Sequence, residues 1–260
     1  MDNPKLMRLL EAAADAIEEA VDSVPLAYRE RRAPGHDDQF EVDVLADHAA
    51  VEVLLASGVG VMSEESGVHR PERSVRVVVD PIDGSTNCSR GLDPYGPSLC
   101  AFDSAGPRAA LVTNLASGRR YSALRGAGAW CGDTELTCRP RADILVVATG
   151  DPIAVIQPRA WTRVSGASAH DLCRVADGTF DAYVDERNTV SLWDYAGAAL
   201  VLQEAGGVVV ERDGRPLFDE SAPSGNRLLA ASSRAQLGRL RALLRSEAAP
   251  ARAGAFEGPT

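Results

Sequence analysis

The sequence predicts an α/β (α+β) layered sandwich in which helix and sheet layers alternate. Three observations predict it. Apolar residues near the start recur at helical spacing. Short β-type runs and helical segments then alternate to the end. No repeat or linker divides them into independent domains. The chain has 260 residues, 45% apolar and 25% charged, which is ordinary usage for a protein that buries a sizeable core.

Taken in order, residues 5–22 form a helix with Leu6, Leu9, Leu10, Ala13, Ile17 and Val21 on one face. Residues 28–39 are charged and contain Pro and Gly, so they form a loop. A second helix covers 45–56 and stops before Ser57 and Gly58. The runs 60–62, 75–79, 98–102, 109–114 and 144–148 read as strands. Then come a strand at 182–184, a helix at 194–205, a strand at 207–211 with a turn at Asp213-Gly214, a strand at 228–231 and a closing helix at 233–244. This divides into an N-terminal α+β part (1–140), a C-terminal α/β part (141–247) and a small-residue tail (248–260) expected to be disordered.

Net charge is −10. Such a surface repels nucleic acid and anionic membranes, so neither is an expected partner. It repels a small phosphate as well, unless cations neutralise the binding site. The five cysteines are scattered, with no CxxC pair, and read as free thiols in a reducing compartment. No charged start precedes an apolar run, and no apolar stretch is long enough to span a bilayer. A soluble, cytoplasmic protein is expected.

The run VRVVVDPIDGSTN, 75–87, carries the strongest local signal. Pro81 cannot donate to a ladder, so the strand is expected to end there. Asp80 and Asp83 then flank a sharp turn at the sheet's mouth. Two carboxylates held that close call for a cation, and hard oxygen ligands suit Mg²⁺. The N–H groups of Gly84, Ser85 and Thr86 face the same mouth and suit a phosphate. Glu64-Glu65 follows another short strand, and Asp194 opens an apolar, glycine-ended helix. Alone, the glutamates read equally well as a solvated turn, and Asp194 as a helix-capping acid.

Glu64-Glu65, DPIDGST at 80–86 and Trp193-Asp194 with its helix to Gly207 occur in that order. Together they resemble the inositol monophosphatase-like, lithium-sensitive metal phosphatases, over nearly the whole chain. The resemblance implies a phosphatase that hydrolyses a small polyol phosphate with Mg²⁺, two or three ions per site, and a homodimer. Glu64, Asp80 and the Ile82 carbonyl would bind one ion; Asp80, Asp83 and Asp194 a second. A third, weaker ion would lean on Glu64. Asp47 would pair with the Ser85 hydroxyl to orient the attacking water. Gly84, Ser85 and Thr86 would share the phosphate charge. Gly166, Ala167 and Ser168, with Asp185 or Glu186, would contact the alcohol.

The chain departs from that pattern in places. Ser85 stands where most members have Thr, which keeps the hydroxyl and loses the β-branch. The usual lysine ahead of the second helix is missing, with His36-Asp37-Asp38 in that neighbourhood. In D-x-V-T-x-x-D, Glu41 replaces the first acid and Val44 the threonine. The stretch 150–166 is shorter than usual. Among substrates an inositol-like monophosphate comes first, histidinol phosphate second, then fructose bisphosphate and phosphoadenosine phosphate. A non-catalytic relative that binds metal or phosphate is the rival from another class. A Ser/His/Asp or Cys hydrolase is a third reading. It lacks a GxSxG elbow, and its one adjacent pair, His170-Asp171, reads as solvated helix-start residues.

Overall fold

The computed structural model describes residues 1–34, 39–139, 146–150 and 160–245. His36 with its neighbours, the first two residues of the expected 144–148 strand, most of the short 150–166 stretch and the tail at 248–260 lie outside the described residues.

The apolar stripe of the first helix becomes one buried face of α1 (Asn3–Asp22), whose Asp2 cap accepts from the Lys5 N–H at 2.8 Å. α2 (Glu41–Ala56) packs beside it. It starts four residues earlier than expected, with Glu41 and Asp43 in a first turn where the helix dipole favours acids.

Both helices lie on an eight-stranded sheet. Its strands are β1 (Gly60–Ser63), β2 (Gly67–His69), β3 (Arg76–Asp83), β4 (Gly96–Asp103), β5 (Gly106–Asn114), β6 (Arg119–Leu124), β7 (Gly128–Cys131) and β8 (Thr134–Glu135). Their order is β2-β1-β3-β4-β5-β6-β7-β8. β1 and β3 are parallel, and the other neighbours antiparallel. A short helix, α3 (Ser85–Arg90), follows β3.

A second, five-stranded sheet contains β9 (Val146–Thr149), β10 (Trp161–Arg163), β11 (Ala182–Val190), β12 (Val208–Glu211) and β13 (Asn226–Ala231), in the order β10-β9-β11-β13-β12. α4 (Ser168–Ala176) and α5 (Leu192–Glu204) fill the space between the sheets. α6 (Arg234–Arg245) covers the far face of the second sheet with Leu237 and Leu240. The layers therefore run helix, sheet, helix, sheet, helix, as the alternation of elements predicts.

β3 shows why its sequence is a continuous apolar run. Val77 and Val79 face α1 and α2, while Val78 faces the layer of α4 and α5. A strand buried on both faces needs apolar residues at every position.

β3 also corrects one expectation. It does not end at Pro81 but runs to Asp83, with a shift of register between Asp80↔Ser98 and Asp83↔Gly96. The missing proline N–H falls in the unpaired bulge, where the ladder asks nothing of it.

Periodicity did not reveal β2, β6 to β8, β10 or α4. These are short, polar or interrupted by charge. His170 and Asp171 do begin a helix, yet both are buried rather than solvated. All five cysteines are free. Among the described residues, no helix is long and apolar enough to cross a membrane.

Candidate active site

Glu64, Asp80 and Asp194 are brought together by three separate devices. The parallel register of Ser63 with Val79, continued by the Glu64 N–H to the Val79 carbonyl at 3.1 Å, sets Glu64 beside Asp80. Asp194 comes from the first turn of α5, where its carboxylate accepts the Ser191 N–H at 2.7 Å. The expected helix-capping acid is therefore real. α5 can lie this close to β4 because Gly197 has no side chain. A Cβ there would sit 3.1 Å from the Leu99 carbonyl oxygen and the Ser98 Oγ. The Ser98 hydroxyl in turn bonds the Trp193 carbonyl at 3.2 Å. One carboxylate oxygen of each acid then lies within 4.8 Å of the others.

None of the three has an ion-pair partner among the described residues. Their protonation shows the strain. Burial, then the neighbouring charges of Glu64, Asp83 and Asp194, holds the Asp80 carboxyl well above the usual carboxylate range. Burial and Glu64 push Asp194 up to about 7. Glu64 is raised too, by burial, although hydrogen bonds with Asp80 and the Trp193 side chain oppose the shift. Four acids thus crowd one another, with Arg187 acting on Asp194 only at a distance. An all-oxygen, multiply anionic donor set of this kind fits a hard divalent ion.

Asp83 stands apart from the trio. Its carboxylate accepts the N–H groups of Ser168 at 3.0 Å, Ala169 at 2.9 Å and His170 at 3.3 Å, and so caps α4 from another element. This bond set welds the end of β3 to the segment holding Gly166, Ala167 and Ser168. The turn is equally tight on its other side. Gly84 has φ +86°, and a Cβ there would lie 3.0 Å from the Pro94 carbonyl oxygen and 3.1 Å from Ala167. Asn87 ties the same parts together through the Pro94 and Ser165 carbonyls, both at 2.8 Å. Gly84 takes the cap position of α3.

The water-orienting pair expected at Asp47 and Ser85 has other partners. Asp47 is buried and accepts the Ser63 hydroxyl. The Ser85 hydroxyl donates to the Ile82 carbonyl at 3.1 Å. Asp43, one turn earlier on α2, is the acid whose ionisation Ser85 influences. Burial raises Asp43 to about 7, while the Ser85 hydroxyl and the Phe40 backbone oppose the shift. The sequence reading missed Asp43 and Ser63. Their only signal was the i, i+4 spacing of Asp43 and Asp47, which puts both acids on one helix face.

Asp185 and Glu186, expected to contact the alcohol, point to opposite faces of β11, as neighbours in a strand must. Asp185 is fully buried and gripped by Arg187 at 2.6 Å, with the Tyr183 hydroxyl at 3.3 Å. Glu186 turns outward to Arg212 at 2.7 Å. The Tyr183 hydroxyl also donates to Ser168 Oγ at 2.9 Å. His170, the base a Ser/His/Asp reading would need, is sealed in. Burial lowers its pKa to about 3, and neither ring nitrogen has a hydrogen-bond partner among the described residues.

Comparison with known proteins gives a consistent result. The model of the inositol monophosphatase family matches residues 5–249. The chain is 31% identical over 236 residues to the fructose-1,6-bisphosphatase/inositol-1-monophosphatase of Archaeoglobus fulgidus, covering 88% of this chain and 93% of the relative. It is 29% identical over 198 residues to the Nus factor SuhB of Pasteurella multocida, covering 69% and 73%. Among solved structures, a hypothetical Pyrococcus horikoshii protein with similarities to inositol-1 monophosphatase superposes with a TM-score of 0.81. That pair is 26% identical over 95% of this chain and 98% of the other. Mycobacterium tuberculosis SuhB gives 0.70 at 28% identity, over 92% and 96%.

Proposed function

The chain belongs to the inositol monophosphatase family, and from that premise we propose that it hydrolyses a small phosphomonoester, a polyol phosphate like inositol monophosphate first. The observation that carries the proposal is the group Glu64, Asp80 and Asp194, three acids whose carboxylate oxygens lie within 4.8 Å of one another. Mg²⁺ held there would neutralise substrate phosphate and lower the pKa of water. Glu64, Asp80 and the Ile82 carbonyl are the proposed ligands of one ion, and Asp80, Asp83 and Asp194 those of a second. Asp83 can serve both α4 and an ion, because a carboxylate has about four lone-pair sites and three N–H groups use only part of them.

The chain's own groups do the remaining work. The backbone N–H groups of Gly84, Ser85 and Thr86 are proposed to share the phosphate charge. The Ser85 hydroxyl orients the attacking water in line with the leaving oxygen. Ser168 and the residues before it hold the alcohol, with Asp185 fixed behind them by Arg187. A homodimer and a cytoplasmic setting belong to the same proposal and rest on the family likeness.

A sugar bisphosphate is the second reading, favoured by the double name of the A. fulgidus relative. The test is phosphate release from inositol 1-phosphate, histidinol phosphate, fructose 1,6-bisphosphate and phosphoadenosine phosphate, each with Mg²⁺ and with EDTA. One ester standing out with Mg²⁺ and silent with EDTA supports the proposal and names the alcohol. No release from any ester by folded, Mg²⁺-supplied protein overturns it in favour of a non-catalytic relative.

A further inference from the structure

The chain carries a net charge of −10, yet one corner of its surface is basic. α6, RAQLGRLRALLR, has four arginines and no acid. Two of them, Arg241 and Arg245, stand one turn apart, where side chains share a helix face. Opposite them is Arg212, directly after β12. These three side chains, with Leu229 of β13 and Leu244, line a cavity of about 220 Å³. It lies on the face of the second sheet that α6 covers, where Leu229 packs with Leu237 and Leu240. The acids of the candidate active site and the layer of α4 and α5 are on the other face.

The arginines around this corner show what is unusual. Arg187 pairs with Asp185, Arg215 with Glu211, Arg227 with Asp213, and Arg212 itself with Glu186 at 2.7 Å. Arg241 and Arg245 have no ion-pair partner among the described residues. The helix dipole favours a cation in the last turn, which accounts for Arg245. It does not account for Arg241 a turn earlier, nor for three like charges gathered around one cavity, which repel. Three arginines less one glutamate leave two positive charges unbalanced there.

We propose that this cavity binds a small phosphate-bearing molecule at a site separate from the acidic cluster. Planar guanidinium forks match phosphate oxygens two at a time. A phosphomonoester carries about 1.5 to 2 negative charges near pH 7, which matches the two that are left unbalanced. The cavity is smaller than the roughly 300–1,000 Å³ of sites for drug-sized ligands, so it suits a phosphate on a short carbon skeleton. Leu229 and Leu244 offer that skeleton an apolar floor. The proposal does not depend on the phosphatase reading or on which ester is hydrolysed.

The test is calorimetric titration of the full chain with inorganic phosphate and with glycerol phosphate, in EDTA and at about 0.15 M salt, which screens loose surface attraction. Both probes should bind at one site per chain with Kd below about 5 mM, glycerol phosphate the more tightly. Arg241→Ala/Arg245→Ala should weaken both at least tenfold. Both side chains are exposed, so its melting temperature should stay within about 2 °C of the parent's. Arg241→Lys/Arg245→Lys, which keeps the charge and loses the fork, should fall between. Asp80→Asn should leave binding within about twofold of the parent. No saturable heat from either probe, or unchanged affinity in the double alanine variant, overturns the proposal. So does acetate binding as tightly as phosphate, or loss of binding in Asp80→Asn, which would put the anion in the active site.

Discussion

Along β11 each acid has a cation: Asp185 grips Arg187, and Glu186 grips Arg212. At the end of β3 and the start of α5, Asp80 and Asp194 face Glu64 with no such partner among the described residues. The two regions lie in one site and use the same chemical group. In the first, charge is balanced within the fold by the paired arginines. In the second, charge is left for something else to balance, and burial with mutual repulsion holds the carboxyls partly protonated. Paired acids are accounted for by the fold; the unpaired set is one that could hold a metal ion.

The largest expected effect comes from removing a member of the unpaired set. Asp80→Asn should abolish phosphate release, by about 10³-fold or more, while raising the melting temperature of the metal-free protein by roughly 2–4 °C, the equivalent of about 1 kcal/mol. Phosphate assay and scanning calorimetry on one preparation check both. Loss of activity together with a lower melting temperature would mean that Asp80 is structural.

Arg187→Ala breaks the balanced set instead. It leaves the fully buried Asp185 with only the Arg187 backbone N–H and the Tyr183 hydroxyl, which should cost about 2–3 kcal/mol in a denaturant titration. A loss under 0.5 kcal/mol would erase the distinction between the regions.

pH separates them next. In the fold Asp194 and Asp43 titrate near 7, against about 4 when unfolded. Between those values the native state holds more protons than the unfolded one. Stability of the metal-free protein is therefore fully present below about pH 4 as far as these groups are concerned, and is lost as pH rises toward 7. Saturating Mg²⁺ should flatten the part of that slope that comes from Asp194, because its charged carboxylate then has a partner, and leave the part from Asp43. Melting temperatures across pH 5–8, with Mg²⁺ and with EDTA, would show it; identical slopes would contradict it.

The smallest effect belongs to surface pairs. Arg120 meets Asp15 and Glu18 on α1, with all three side chains at least a third exposed. Arg120→Ala should change stability by no more than about 0.5 kcal/mol in the same titration.

The helical spacing of Leu6, Leu10 and Ile17 and the apolar run before Asp80 made α1 and β3 legible, because burial on one face or both dictates periodicity. Glu64, Asp80 and Asp194 were legible as acids placed just after strands or at the start of an apolar helix. The partners of Asp83 were not. It bonds backbone N–H groups 85 to 87 residues away, and no side-chain pattern marks a backbone donor. α4 was hidden because His170, Asp171 and Arg174 interrupt its apolar face, although the two acidic-and-basic neighbours at its start are buried. The partner of Asp47 was hidden for a further reason. It depends on a single hydroxyl, Ser63, across the gap between α2 and β1.

The most direct test of the unpaired set is calorimetric titration of the metal-free protein with Mg²⁺ at pH 7, in two buffers of different ionisation enthalpy. Mg²⁺ should bind and release protons, because the carboxyls it displaces them from are held partly protonated, and Asp80→Asn should lose the signal. Absence of binding to the parent protein, or the same heat from the Asp80→Asn variant, would contradict the assignment of Glu64, Asp80 and Asp194 as a metal site.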